Sequence, residues 1–236
     1  MKKGTLYLIP TVIAPGTEEK VLPPDLKALC NGISYYLAEN IRTARRCLSA
    51  MRIDRTIEEL EFKELSKKTP ATEIDSLMAP LLKGESIGIM SEAGCPGIAD
   101  PGAQAVEYAH RNGIQVIPYV GPSSIFLALM ASGLSGQSFT FSGYLPIDKS
   151  EKIQSIKQLE SLASKLGQTQ IFMETPYRNN QLMEDLLKTC SGNLKLCIAR
   201  DITGSNEMIV TDTINNWKKK KPDLHKQPCI FLIGSN

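Results

Sequence analysis

Residues 91–102 read Ser-Glu-Ala-Gly-Cys-Pro-Gly-Ile-Ala-Asp-Pro-Gly, and this segment indicates the fold class. An apolar run over 87–90 precedes it, which is typical of a strand buried on both faces. A helical pattern over 103–111 follows it, with Gly113 as the C-terminal stop. The segment therefore joins the carboxyl end of a predicted strand to the next helix. In open α/β sheets, ligands bind beyond this end of the strands.

The composition of this loop suits contact between a ligand and the main chain. Gly94, Gly97 and Gly102 permit tight turns and close approach to the backbone, and Pro96 and Pro101 stiffen the segment. The loop is neither the G-x-G-x-x-G dinucleotide fingerprint nor a Walker A loop. A plain turn has the same composition, so the composition leaves both interpretations open.

Length and composition indicate a globular protein of one or two domains. The chain has 236 residues, of which 42% are hydrophobic and 22% charged. No apolar stretch approaches the ~20 residues of a membrane-spanning helix, and the N-terminal apolar run is too short for a signal peptide. We therefore expect a cytoplasmic protein without a membrane partner. The six cysteines lack metal-ligand or disulfide spacing, and His110 and His225 are far apart, so we expect no metal site.

Charge excludes a strongly basic nucleic-acid protein, because the net charge is only +2. The local excess of basic charge lies in Lys218 to Lys221, followed by Lys226. A lysine cluster of this kind contacts phosphate groups or lies on a solvated helix end, and the sequence leaves both readings open.

Strand and helix patterns alternate over residues 1–119, which predicts an N-terminal α/β domain with a mainly parallel sheet. Within it we expect a loop over 10–24, a strand over 33–38, and a helix from Glu73 to Leu82 that Thr72 caps. Val120-Gly121-Pro122-Ser123-Ser124 then leads into a nearly apolar helix. We place a domain boundary there, so that residues 120–236 form a C-terminal α+β domain with a mixed sheet.

Motifs along nearly the whole chain resemble the tetrapyrrole methylase superfamily. Within it, the chain is most similar to the small-subunit ribosomal RNA (cytidine-2′-O)-methyltransferase I group. Each motif by itself is weak, but their order and spacing are specific. The matching segments are 6–11, 38–39 with Arg42, 91–102, 120–124, 131–134, 143–146, 171–178 and 199–200.

The resemblance implies a two-domain α/β fold and a homodimer. It also implies that S-adenosyl-L-methionine binds in a cleft between the domains, and that the enzyme methylates a ribose hydroxyl of ribosomal RNA. Without the resemblance, the better interpretation of Met173, Ala199 and Cys229 would be that they are core residues. The cofactor-binding residues it implies are Ser91, Gly94, Cys95, Ile98, Ser123, Ser124, Met173, Ala199, Pro228 and Cys229.

Two charged residues are the candidates for catalysis. A ribose hydroxyl is a poor nucleophile and benefits from a base or a hydrogen-bond acceptor. Glu174 follows a predicted strand and is the candidate acceptor. Arg200 follows the next strand and is the candidate that holds a phosphate or orients Glu174. An equally open alternative is that the two residues pair with each other as part of the structure.

The sequence departs from the pattern of this RNA methyltransferase group on the side expected to face the substrate. Asn40 and Ile41 stand where the group has Asp-Thr, and Glu92 stands where it has Asp. A nearby His is missing, Lys68-Thr69-Pro70 replaces a His-Asn-Glu-like stretch, and Ala14-Pro15 replaces Gly-Asn. Methyl transfer is therefore better supported than the identity of its acceptor.

Two alternatives to an RNA methyltransferase stay open. One is a small-molecule methyltransferase that acts on a tetrapyrrole-like compound, and the other is a non-catalytic paralogue that binds S-adenosyl-L-methionine. A dinucleotide-dependent oxidoreductase is disfavoured, because the glycine fingerprint with its distal acid is missing from the sequence.

Overall fold

A computed structural model describes residues 2–235, and the chain divides into two compact units, Met1–Ser123 and Ser124–Asn236. Within the described residues, the strands form two sheets of five strands each, so each unit has its own sheet. We expected the boundary after Tyr119, whereas the units meet between Ser123 and Ser124, where the predicted apolar helix begins.

The first unit contains a parallel sheet with the strand order β3-β2-β4-β1-β5. All of its paired strands run parallel, and β4 lies at the centre, as expected for alternating strands and helices. The strands are β1 Thr5–Ile9, β2 Tyr35–Ala38, β3 Glu61–Glu64, β4 Ile87–Met90 and β5 Gln115–Pro118. The helices are α1 Glu18–Val21, α2 Leu26–Asn31, α3 Ile41–Ala50, α4 Ala71–Leu82 and α5 Ala103–Arg111, with a 3-10 turn at Ile57–Glu59.

Helices cover both faces of this first sheet. Helices α4 and α5 contribute Met78 and Tyr108 to the core on one face, and α2 and α3 contribute Cys30 and Leu48 to the core on the other. Packing at the centre leaves no room for a side chain at Gly88, because a Cβ there would lie 2.6 Å from Ile9 Cδ1. The apolar run 87–90 is thus the buried strand that its composition predicts.

The second unit contains a mixed sheet with the strand order β6-β7-β10-β8-β9. Strands β6 and β7 run parallel, whereas β10 is antiparallel to both β7 and β8. The strands are β6 Phe139–Tyr144, β7 Thr169–Met173, β8 Lys195–Arg200, β9 Met208–Thr213 and β10 Cys229–Gly234. The helices are α6 Ser124–Ser132, α7 Lys149–Leu166, α8 Asn179–Thr189 and α9 Ile214–Lys219.

Helices α7, α8 and α9 pack on one face of the second sheet, and α6 packs on the other. An ion pair is buried between α7 and α8: Lys152 Nζ lies 3.7 Å from Asp185 Oδ2, and both side chains are 5% exposed. The amide of Gln181 donates a further hydrogen bond to Asp185 Oδ1, at 3.0 Å. Although α6 is rich in apolar residues, no helix within residues 2–235 is long and apolar enough to cross a membrane.

Three predicted elements differ from those observed. Helix α4 begins at Ala71 after Pro70, whose extended backbone ends the preceding loop, so the assignment of Thr72 as the cap was wrong. The predicted loop over 10–24 contains the short helix α1, which spans too few residues to show a helical period. Strand β2 begins at Tyr35, because the Ile33 amide still donates to Cys30 O in the turn that ends α2.

Candidate functional site

The loop over 91–102 leaves the central strand β4 and is held by the segment that follows the neighbouring strand β1. The Thr11 amide donates to Gly94 O at 2.9 Å, and the Gly94 amide donates to Thr11 O at 3.2 Å. The Thr11 hydroxyl also lies 3.4 Å from Ser91 O, and both Thr11 and Ser91 are buried. These contacts fix the first part of the loop at the carboxyl edge of the first sheet.

Tight turns shape the rest of the loop. Gly94, Gly97 and Gly102 have φ angles of 76°, 80° and 140°, which favour glycine over residues with a Cβ. The Gly97 amide donates to Pro101 O at 3.2 Å and closes the second turn. No described atom lies within 4 Å of the position that a Cβ would take at Gly97. The main chain at Gly97 is therefore open to a ligand, as the predicted contact through backbone groups requires.

Cys95 ties the loop to the segment after β5. Its Sγ lies 3.8 Å from Gly121 O and 3.4 Å from Pro122 O. Burial raises the pKa of the Cys95 thiol, and the charge of Asp100 raises it further, so the thiol stays neutral. Three of the predicted motif segments, 6–11, 91–102 and 120–124, thus meet at one edge of the first sheet.

Asp100 lies in this loop and was not among the predicted site residues. Burial and the nearby charge of Glu39 raise its pKa to about 6, and Glu92 adds to this effect. The charge of Lys67 and a hydrogen bond with Ser91 oppose it. A hydrogen bond that the Lys67 ammonium donates to Ala99 O, at 2.9 Å, holds this charge next to the loop. Asp100 therefore changes its charge close to neutral pH.

A cleft of about 390 Å³ lies beside the loop in the first unit. The segment after β1, helix α3 and the residues Glu92 and Ala93 form its walls. Pro15 and Glu92 are among the lining residues, and both lie where the sequence departs from the pattern of the RNA methyltransferase group. These two departures therefore border the same cleft.

The second unit brings four predicted cofactor residues together. Because β10 is antiparallel to β7 and β8, Ile230 pairs with Met173 in one neighbour and with Ala199 in the other. Cys229 and the preceding Pro228 therefore lie at the same end of the sheet. Ala199 and Cys229 are buried, Met173 is partly buried and Pro228 is exposed. Burial raises the pKa of Cys229 to about 12, so its thiol is neutral.

The other predicted cofactor residues lie at the ends of the units or on their surface. Ser123 is the last residue of the first unit, and Ser124 is the first residue of α6 in the second. Ile98 is exposed in the second turn of the loop.

Glu174 follows β7, and its side chain is completely buried. Its Oε1 accepts hydrogen bonds from Arg178 Nη2 at 2.6 Å and from the Thr175 amide at 2.7 Å. Oε2 is buried and has no hydrogen-bond partner among residues 2–235. Burial by itself would raise the pKa of Glu174, but the hydrogen bonds and the charge of Arg178 hold it below its usual value. Glu174 is therefore a buried carboxylate that is ionised at neutral pH.

Arg200 follows β8 and donates to main-chain carbonyl groups. Its Nη1 lies 3.4 Å from Asp223 O, and its Nη2 lies 3.3 Å from Asn206 O. Glu174 has Arg178 as its ion-pair partner, so the alternative in which Glu174 and Arg200 pair with each other is not what the described residues show. Arg178 was not among the predicted site residues, although its spacing of four residues from Glu174 suits an ion pair across one turn.

A family model and several known sequences match this chain. The family model of the tetrapyrrole (corrin/porphyrin) methylases matches residues 31–217. The ribosomal RNA small subunit methyltransferase I of Halalkalibacterium halodurans is 32% identical over 236 residues, which cover 99% of this chain and 77% of the relative. The enzyme of the same name from Thermotoga maritima is 34% identical over 224 residues, which cover 93% of this chain and 94% of the relative.

Solved structures with a similar fold are also methyltransferases. The crystal structure of the methyltransferase CobJ has a TM-score of 0.64 and 16% identity, and the match covers 98% of this chain and 94% of CobJ. The uroporphyrin-III-C-methyltransferase from Thermus thermophilus has a TM-score of 0.54 and 16% identity, and the match covers 100% of this chain and 93% of the other. Since the family model covers most of the chain and the sequence relatives match nearly all of it, the chain belongs to the tetrapyrrole methylase family and is a methyltransferase.

Proposed function

We propose that this enzyme transfers a methyl group from S-adenosyl-L-methionine to a ribose hydroxyl of small-subunit ribosomal RNA, in the cytoplasm. One observation favours RNA over a small molecule as the methyl acceptor. The two relatives named as ribosomal RNA methyltransferases are 32% and 34% identical to nearly the whole chain, whereas the two solved structures share 16% identity. Substrate class is more often kept between relatives at the higher of these levels.

The residues of the loop suit the proposed cofactor. When bound, S-adenosyl-L-methionine supplies a methyl group on a positively charged sulfur. The open main chain at Gly97 and the neutral thiol of Cys95 offer contacts without a competing positive charge. The residues proposed to hold the cofactor are Ser91, Gly94, Cys95, Ile98 and Ser123 from the first unit, and Ser124, Met173, Ala199, Pro228 and Cys229 from the second.

Glu174 and Arg200 are the residues proposed to act on the acceptor. Methyl transfer is a displacement, so the protein mainly has to align the acceptor and exclude water. Oε2 of the ionised Glu174 is buried and has no hydrogen-bond partner among residues 2–235, so substrate binding has to expose it before it accepts a hydrogen bond from a ribose hydroxyl. Arg200 keeps a buried Nε with no partner among residues 2–235, and its guanidinium is suited to a phosphate.

The proposal is tested with the purified protein, labelled S-adenosyl-L-methionine and ribosomal RNA from a strain that lacks the gene. We expect one 2′-O-methylated nucleoside, detected by mass spectrometry of the digested RNA. Glu174→Gln and Arg200→Ala should each lower turnover by about 100-fold, because acid–base and hydrogen-bond contributions are of this size. Both variants should bind the cofactor with affinity close to that of the unmodified protein.

Lys157→Ala, on the exposed surface of α7, is the control and should leave turnover unchanged. Full turnover in both Glu174→Gln and Arg200→Ala would refute the roles given to these residues. Absence of any methylated nucleoside with the unmodified protein would refute the proposed function itself.

A small molecule is the second candidate for the acceptor. The observation in its favour is that Pro15 and Glu92, two departures from the RNA methyltransferase pattern, line the cleft of about 390 Å³. Methylation of a porphyrinoid but not of RNA would select this candidate. Tight cofactor binding without a product from any cell extract would instead indicate a non-catalytic paralogue.

We also propose that the enzyme is a homodimer. Helix α6 exposes 52% of Phe126 and 79% of Met130, and the Phe126 ring meets the Phe139 ring of β6 at 6.0 Å. These three residues form an apolar patch on the second unit, and contiguous exposed apolar patches mark interaction sites. A second copy of the chain is the proposed occupant, because the family resemblance implies a homodimer.

A further inference from the structure

Two segments of the second unit, 174–180 and 223–228, are joined by hydrogen bonds. Asn179 Nδ2 donates to Gln227 O at 2.6 Å, and the Lys226 amide donates to Pro176 O at 3.0 Å. Asn180 makes two more such bonds: its Nδ2 donates to Asp223 Oδ1 at 2.8 Å, and its Oδ1 accepts from the Leu224 amide at 2.8 Å. The loop between α9 and β10 is therefore fixed against the start of α8.

This junction presents two aromatic rings to solvent. Tyr177 is 71% exposed, and its ring lies edge-to-face with that of His225, with 6.1 Å between the ring centroids and an interplanar angle of 75°. His225 is itself exposed. Because the backbone on both sides is held by the bonds above, binding at the tyrosine ring costs little backbone freedom. Exposed aromatic rings on a fixed backbone are a common means of stacking unpaired nucleotide bases.

Two basic residues are next to these rings in the chain. Arg178 is held by the buried Glu174, while its own side chain is 37% exposed. Lys226 follows His225 directly and is exposed. Asp223 in this loop accepts a hydrogen bond from Asn180, and hydrogen bonds from Asn180 and from the His225 amide lower its pKa, so it remains a negative charge.

The lysine cluster at the end of α9 leads into the same loop. Lys218, Lys219 and Lys220 are exposed and take part in none of the ion pairs formed within residues 2–235. Lys221 instead pairs with Glu184 at 2.5 Å. Cations that protein carboxylates do not neutralise suit the phosphates of a nucleic acid backbone.

We propose that Tyr177, Arg178, His225 and Lys226 form a binding surface for single-stranded RNA, with an unpaired base stacked on the Tyr177 ring. Lys226 contacts a phosphate next to that base, Arg178 adds a contact through the exposed part of its side chain while it stays paired with Glu174, and Lys218 to Lys220 extend the contact along the backbone. The strand has to be single, because a base within a duplex offers no free face for stacking. This inference rests on the proposed RNA substrate. The surface binds that RNA away from the atoms that react.

The test measures binding of a fluorescent single-stranded RNA of about 12 nucleotides by anisotropy, without cofactor. Tyr177→Ala should raise the Kd by about tenfold or more, because stacking on one aromatic ring contributes that much. Tyr177→Phe keeps the ring and should bind like the unmodified protein. The cofactor affinity of both variants should be unchanged, which shows that the fold is intact.

The lysine cluster is tested by salt dependence. The triple variant Lys218→Ala/Lys219→Ala/Lys220→Ala should lower the slope of log Kd against log salt by about 2, since each phosphate contact to a single strand contributes about 0.7. Its control is Lys157→Ala/Lys165→Ala, which removes exposed lysines from α7 and should leave the slope unchanged.

Three results would overturn this inference: RNA binding unaffected by Tyr177→Ala, an equal loss in Tyr177→Phe, or tighter binding of the matching duplex. Methyl transfer to ribosomal RNA is measured in parallel with the unmodified protein. If the protein methylates ribosomal RNA but Tyr177→Ala does not weaken RNA binding, the proposed binding surface is refuted and the proposed function is not. RNA binding that depends on Tyr177 but yields no methylated RNA supports the surface and refutes the proposed function.

Discussion

Asp100 carries a carboxyl group that the folded chain holds in an unfavourable environment. Its pKa is raised from 3.8 to about 6, first by burial and then by the charge of Glu39. Since the folded-state pKa lies above the unfolded one, the stability linked to this group is fully present below about pH 4 and is lost as the pH rises through 6. A residue that lowers stability at neutral pH, in a loop that suits a ligand, is typical of a functional site.

Asp100→Asn removes this titration and should therefore make the protein relatively more stable at high pH. Between about pH 4.5 and pH 8, we expect the free energy of unfolding of the variant to gain ~1 kcal/mol on the unmodified protein, a value reduced for solvent screening. Urea unfolding at both pH values measures it. Asp75→Asn, at an exposed position of α4, is the control. The same pH dependence in Asp100→Asn and the unmodified protein would contradict the assignment.

At the scale of single residues, the sequence predicts the turns of the loop better than its charges. The positive φ angles at Gly94, Gly97 and Gly102 accord with the glycine pattern. The neighbours of Asp100 could not be predicted in this way, because Glu39 and Lys67 come close to it only when β2 lies beside β4. A residue pattern carries no direct information on strand order.

Helix α3 shows how an element can keep its physical role when a residue changes. Asn40 is the N-cap, and its Oδ1 accepts a hydrogen bond from the Thr43 amide at 3.2 Å. Asp, which the RNA methyltransferase pattern has at this position, caps helices in the same way. The departure at Asn40 therefore preserves the start of α3 and by itself gives no reason to expect a different substrate.

Asn40→Ala should destabilise the protein by ~1 kcal/mol, because an amide in the first turn of α3 loses its partner. Asn40→Asp keeps an acceptor at the cap and should stay within a few tenths of a kcal/mol of the unmodified protein. Chemical denaturation of the three proteins provides the comparison. Equal stability of the alanine and aspartate variants would show that the cap bond contributes nothing.

At the scale of elements, prediction succeeded where one local signal dominates. The strand over 87–90 and the helix over 103–111 have the bounds that the buried apolar run and the glycine stop indicate. It failed at α4, where Pro70 rather than Thr72 precedes the helix, and at α1, which is only four residues long. Short helices are stabilised by their surroundings, which the local sequence does not describe.

At the scale of the whole molecule, the apolar patch on α6 and β6 tests the proposed dimer. Phe126→Lys or Met130→Lys would place a charge in an interface formed by this patch, so either variant should be monomeric at concentrations where the unmodified protein is a dimer. Light scattering coupled to size-exclusion chromatography gives the mass. Leu166→Lys changes an exposed apolar residue at the end of α7 and should leave the dimer intact.

A monomeric unmodified protein would refute the dimer, and a dimer that survives both substitutions on α6 would place the interface elsewhere.

The buried pair of Lys152 and Asp185 limits how the second unit can change over generations. Loss of either residue by itself would leave the opposite charge unpaired in the core. This would lower the free energy of unfolding by about 3–5 kcal/mol, which is a large part of the stability of a typical domain. An uncharged pair of matching volume would also be stable in the core. However, any route that changes one residue at a time passes through a poorly folded single mutant. Lineages that descend from this chain should therefore inherit both residues together or exchange both together.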